Sequence, residues 1–137
     1  MAQHPNVEKI RRGFEVIEKR PMTPEDMAFV DNLFDENVVW TKQGGSQLAG
    51  VERGKKAVFA ALGQVDAESG NTFRRDVRTV FADDEHAVCI MQIHAERRGN
   101  KADWGEVAVF KFTPEGRIID FWGITEDLDK VDAFWAS

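Results

Sequence analysis

The stretch WGEVAVFKFTPEGRIIDFWGI, from Trp104 to Ile124, carries the pattern that decides the fold. Trp104, Glu106, Ala108, Phe110 and Phe112 alternate with Gly105, Val107, Val109 and Lys111, the two-residue period of a strand. Thr113-Pro114-Glu115-Gly116 reads as a turn, and Arg117 to Ile124 as the returning strand. Working backwards, Ala87, Cys89, Met91, Ile93 and Ala95 form an apolar face opposite Gln92, His94 and Glu96, with Arg98-Gly99-Asn100 as the turn between. Before the polar turn Ala82-Asp83-Asp84-Glu85, Phe73, Val77, Thr79 and Phe81 alternate with Arg74, Asp76 and Arg78. Four strands in succession make a meander. A last helical turn carries Leu128, Val131, Phe134 and Trp135.

The first half of the chain has the other period. Val7, Ile10, Phe14 and Ile17 share one face of a helix from Asn6 to Lys19, which ends before Arg20-Pro21. Thr23 is the expected N-cap of a second helix, with Pro24 at its first position and Asp26 three residues after the cap. That helix turns Met27, Val30, Leu33 and Phe34 inward and stops near Asp35-Glu36-Asn37. A short strand, Val38 to Lys42, and a glycine loop at Gly44-Gly45 and Gly50 follow. A third helix, Lys55 to Glu68, presents Val58, Phe59, Leu62 and Val65 and ends at Ser69-Gly70. The expected fold class is therefore α+β: one domain, residues 1–137, with three N-terminal helices on a curved, mainly antiparallel sheet. Such a sheet leaves a cone-shaped hollow where small ligands bind.

Composition narrows the function. The chain has 137 residues, 42% hydrophobic and 31% charged, enough to bury about two-thirds of its unfolded surface. A net charge of -6 and a pI near 5.1 argue against nucleic acid or anionic membrane as partner. The one cysteine, Cys89, sits in an apolar run, as an inert core thiol would. No histidine pair has ligand-like spacing, so no metal and no cofactor are expected. Gly44-Gly45 and Gly99 lack the framework of a phosphate loop, and no Ser-His or Cys-His pair supports acyl transfer. Met1 to Val7 shows no secretory pattern and no segment has the length of a membrane span; the expected location is cytoplasmic.

Several phrases are similar to a known group. Phe34-Asp35-Glu36-Asn37-Val38-Val39-Trp40, Leu48-Ala49-Gly50, Asp84-Glu85-His86-Ala87-Val88 and Gly116-Arg117-Ile118-Ile119-Asp120-Phe121-Trp122 resemble the SnoaL-like and ketosteroid-isomerase-like domains of the nuclear-transport-factor-2-like superfamily. The resemblance runs from about Val7 to Trp135 and implies a cone with a ligand pocket, and a homodimer. It does not imply one reaction, because this fold hosts many. The positions that carry catalytic groups in steroid isomerases of this fold fall on Phe14, Thr41 and Ala108. The chain has no tyrosine at all. Steroid isomerisation is therefore disfavoured, and the histidines of many SnoaL-like relatives are missing as well.

Three polar residues stand out. Glu106 shares a strand face with apolar and aromatic neighbours, where burial would suit it to general acid or base work. Arg75 has the same anomaly beside Phe73 and Val77; the two side chains form an ion pair inside the cone or sit at its wet rim. Asp120 depends on the hairpin. If Phe112 pairs with Arg117, Phe110 with Ile119 and Ala108 with Phe121, then Asp120 and Trp122 point outside, where Trp122, Ile118, Val107 and Val109 form an apolar patch suited to a homodimer. One bulge residue would bring both into the pocket. Phe14, Trp40, Met91, Trp104, Ala108, Phe110 and Phe121 are the expected ligand-lining residues. The reading is a pocket for a small apolar or carbonyl compound, with a cofactor-independent isomerase or cyclase acting by proton transfer as one function. A non-catalytic binding or dimerisation module of the same fold is the other. A hydrolase, such as one acting on epoxides, is less favoured.

Overall fold

A computed structural model describes residues 3–136. Helix α1 spans Pro5–Ile17, with the His4 ring accepting from the Asn6 backbone N–H at 3.1 Å. Helix α2 spans Pro24–Leu33 behind a capping box: Thr23 Oγ1 accepts from the Asp26 N–H, and the Asp26 carboxylate accepts from the Thr23 N–H, each at 3.0 Å. The backbone N–H that Thr23 donates holds the Asp26 carboxyl below its ordinary pKa, more strongly than burial raises it. The two helices touch closely at Gly13, where an added Cβ would lie 2.9 Å from Leu33 Cδ2.

Strand β1, Phe34–Lys42, starts directly where α2 stops. The expected break at Asp35-Glu36-Asn37 is instead extended chain, because Phe34 must reach the core beside Ile118 of the distant strand β6 (Ile118–Thr125). A short strand β2, Gly50–Arg53, pairs antiparallel with β1 and was absent from the sequence expectation. Helix α3 is Lys55–Glu68, as the pattern predicted. Strands β3 (Arg74–Ala82), β4 (His86–Arg97) and β5 (Asn100–Phe112) complete a six-stranded sheet in the order β2-β1-β6-β5-β4-β3. The β1–β6 pairing is parallel and the others antiparallel. The last segment is a full helix, α4 (Leu128–Ala136), rather than a single turn. No helix is long and apolar enough to cross a membrane.

Two bulges alter the expected faces. In β3 the register with β4 shifts between Val77 and Thr79, so Val80 turns into the core while Phe81 is left 60% exposed. The alternation of Val77, Thr79 and Phe81 on one face therefore fails at Arg78. In the β5–β6 hairpin Phe112 pairs with Ile118, one residue later than the simplest register, and a bulge then pairs Lys111 with Asp120 and Phe110 with Phe121. The two extra residues cancel. Phe121 still faces inward, and Asp120 stays outside. Ile118 is buried at 1% exposure and does not belong to the outer patch, which instead includes Phe81, Ile90 and Ile124. Met27, expected inward, is exposed.

Helices α1, α2 and α3 cover the concave face of the sheet, with Ile10, Val30, Leu33, Val58 and Val65 buried against Val38, Met91, Phe110 and Ile118. The core does not fill the whole concavity. What it leaves is the cavity described next.

Candidate functional site

A cavity of about 170 Å³ lies between the open end of the sheet, the second half of α1, the loop after β1, and α4. One wall is a run of aromatic rings. Trp40 stacks on Phe121 at 5.3 Å, Phe121 on Phe110 at 5.6 Å, and Phe14 meets Phe110 edge-on at 5.9 Å. Met91 and Ala108 line the cavity between this wall and Trp104. The seven residues expected at a ligand site, Phe14, Trp40, Met91, Trp104, Ala108, Phe110 and Phe121, all border this cavity.

Two of the three polar candidates line the cavity. Glu106 is on β5, register-paired with Met91 on one side and Thr125 on the other. Gly123 makes room for it: a Cβ there would sit 3.2 Å from the Glu106 carboxyl. Burial raises the Glu106 pKa, because the ionised form loses its water; the Arg75 charge and the Trp104 indole oppose the rise. Arg75 reaches the same cavity from β3, stacked at 4.6 Å over the Phe73 ring. It does not form the expected ion pair with Glu106. Its Nη1 donates to Glu18 Oε1 at 3.0 Å instead, and Glu18 also faces Arg74 at 3.7 Å. Of the two placements the sequence left open for Asp120, the structure has the outer one: its register partners are Lys111 and Val39 and it does not line the cavity, whereas Trp122 does.

The sequence reading missed three contributors. Lys42 lines the cavity, its Nζ 3.1 Å from Glu52 Oε1 and 5.0 Å from the Trp40 ring centre. The step Val38, Trp40, Lys42 carried that signal. Glu18 lies four residues after Phe14, on the same helical face, and holds Arg75. The third is the polar edge of Trp104: only 2% exposed, its Nε1 has no hydrogen-bond partner. Alternation identifies a tryptophan as a ring and says nothing of where its N–H ends up.

The remaining titratable candidates are elsewhere. His94 bonds Asp103 and is exposed, and His4 bonds Asp84 at 2.7 Å. Cys89 is buried, and burial pushes its thiol up to about 11. Among the described residues no three His, Cys, Asp or Glu side chains are placed to hold a metal ion.

Comparison with known proteins gives the fold and the chemistry of this cavity a context. Bal32a, from a soil-derived mobile gene cassette, superposes with a TM-score of 0.85 at 37% identity, covering 95% of each chain. TerC, crystallised with polyporic acid, superposes at 0.80 with 19% identity over 98% of this chain and all of that one. IdmH of Streptomyces antibioticus, named as a candidate polyketide cyclase, gives 0.70 at 13% identity over 93% and 96%. No curated protein matches the sequence. The SnoaL-like domain family matches residues 10–121, and the chain belongs to that family.

Proposed function

We propose that the protein binds a compact, largely apolar or carbonyl-containing compound in this cavity and moves a proton on it through Glu106. The observation that carries the reading is one carboxyl group facing a hollow whose walls are otherwise mostly aromatic and aliphatic. A cavity near 150 Å³ holds a benzene-sized molecule, so about 170 Å³ suits a single ring with a few substituents. A carboxylate with a raised pKa is a better match for a carbon acid than an ordinary one, and no cofactor is needed for it to take a proton beside a carbonyl and return it. Arg75 favours the negative charge that develops. An isomerisation or cyclisation fits; the name given to IdmH supports that class, and the ligand co-crystallised with TerC supports a small-molecule site in this fold.

A second reading, a non-catalytic binding module, is favoured by Phe14, Thr41 and Ala108 standing where steroid isomerases of the fold hold catalytic groups. A tryptophan-fluorescence screen with steroid-like, polyketide-like, terpenoid and epoxide compounds, on wild type, Glu106→Gln and Arg75→Ala, tests both. Saturable binding that either variant weakens supports a working pocket. Binding untouched by both variants, with no turnover of the bound compound, supports the module. Silence across the panel removes the ligand-binding reading.

The outer sheet face suits a homodimer, since Phe81, Ile90 and Ile124 are each more than 40% exposed. Sedimentation of wild type beside Ile90→Arg tests this: a dimer that the charge splits is expected, and a monomeric wild type defeats it.

A further inference from the structure

The polar groups around the cavity do not balance, and their imbalance has a sign. Of the charged side chains lining it, Arg75 and Lys42 are cations and Glu106 is the one acid, held toward its neutral form by burial. Lys42 is matched by Glu52. Arg75 is not fully matched, because its carboxylate, Glu18, is shared with Arg74. Two guanidinium groups thus face one carboxylate. Arg75 has five N–H donors, and only its Nη1 has a hydrogen-bond acceptor. Nearby, Trp104 Nε1 is a buried donor with no acceptor at full hydrogen-bond distance among the described residues, and the Glu106 carboxyl is the acceptor whose ionised form it favours. Phe73 lies beneath the guanidinium and 6.1 Å from the Trp104 ring, so both donors flank the same residue. A buried N–H is rarely left without a full hydrogen bond, so an acceptor brought between Trp104 and Arg75 is favoured there.

We propose that the cavity takes a small ring compound bearing a carboxylate or a comparable planar oxyanion, whose oxygens accept from Trp104 Nε1 and Arg75 while Glu106 faces the same group. This rests on the reading of the cavity as a ligand site and names the class of ligand. Two coplanar oxygens match the guanidinium fork, which a single neutral carbonyl does not. Glu106 and Arg75 both line the cavity without forming an ion pair with each other, so oxygens seated between them would meet the guanidinium on one side and, when Glu106 is protonated, its O–H on the other. The ring fills the space toward Phe14, Phe110 and Phe121.

Benzoate and benzamide, nearly identical in shape, are the probes. Calorimetry should give benzoate about tenfold or more the affinity of benzamide, the difference expected of charge-assisted over neutral hydrogen bonds. Arg75→Gln should erase that ratio by weakening benzoate alone, as should Trp104→Phe. Because Trp104 is buried, the wild-type indole N–H resonance, assigned by triple-resonance spectroscopy, provides a check that needs no variant. It should move downfield on benzoate addition and stay near its free position with benzamide. Equal affinities, or an indole resonance that ignores benzoate, overturn the inference. If neither probe binds while a neutral compound from the fluorescence screen does, this inference fails and the proposed function stands. If that screen is silent too, both fail.

Discussion

The cavity has two aromatic walls built from similar residues, and they differ in what they leave over. On one side Trp40, Phe121 and Phe110 stack in a row, with Phe14 edge-on to Phe110 and Phe34 joining at 5.7 Å from Phe121. This wall uses phenylalanine almost throughout, and its rings satisfy one another. On the other side Phe73, Trp104, Phe134 and Trp135 form a second cluster with ring centres 4.9 to 6.1 Å apart. It carries an indole N–H without a full hydrogen bond, a guanidinium held from one end, and a carboxyl whose pKa burial raises. One wall is complete by itself and gives shape. The other is incomplete, and on the proposed function it supplies the groups that meet the ligand.

That contrast can be broken from either side. The largest expected effect is on the finished wall: Phe121→Ala removes a ring stacked on two others and should cost about 3–5 kcal/mol in urea denaturation. Arg75→Ala should cost less, roughly 1–3 kcal/mol, since it leaves the Glu18 carboxylate with only the more distant Arg74. Its larger consequence should be on ligand binding. Thr23→Ala, far from the cavity, should cost about 1 kcal/mol through the lost cap and leave ligand affinity unchanged, which calibrates the other two.

The smallest change has the opposite sign. Burial raises the Glu106 pKa above its ordinary 4.5, so the folded chain holds that proton more tightly than the unfolded one. Its stabilising contribution is therefore full below the ordinary value and lost as pH rises through the folded value. Glu106→Gln should melt slightly above wild type at neutral pH, and the two should converge in acid. A variant that melts lower at neutral pH would mean Glu106 is held by a partner as an anion. The two walls would then be alike in being satisfied.

The sequence was most informative where one periodicity ran unbroken. Helix α3 and the inward row Trp104 to Phe112 were legible because each keeps a single period throughout. It was least informative where one residue interrupts that period. Arg78 turns Phe81 outward and Val80 inward, and nothing in the composition of β3 marks the bulge. In the hairpin after β5 two such interruptions cancel, so Phe121 faces the cavity as expected, by a different register. Strand β2 is four residues of mixed polarity, too short to declare itself. The site divided the same way. Glu106 and Arg75 announced themselves as charges on apolar faces, whereas the pairing of Arg75 with Glu18 joins a helix to a strand far along the chain, and no local pattern contains it.

The parallel pairing of β1 with β6 has a consequence for how the molecule is made. Until residues near 118–125 have left the ribosome, β1 has only the short β2 as a sheet neighbour, and Trp40 has no Phe121 to stack on. The aromatic wall is thus among the last parts to close, and its early half must wait exposed while four intervening strands are synthesised. Such long-range closure slows folding and leaves sticky surface open in the interval. A nascent chain stalled before Ile118 would have α1, α2, α3 and the β3–β4–β5 meander but neither α4 nor a closed cavity, and it is the species on which a chaperone would act.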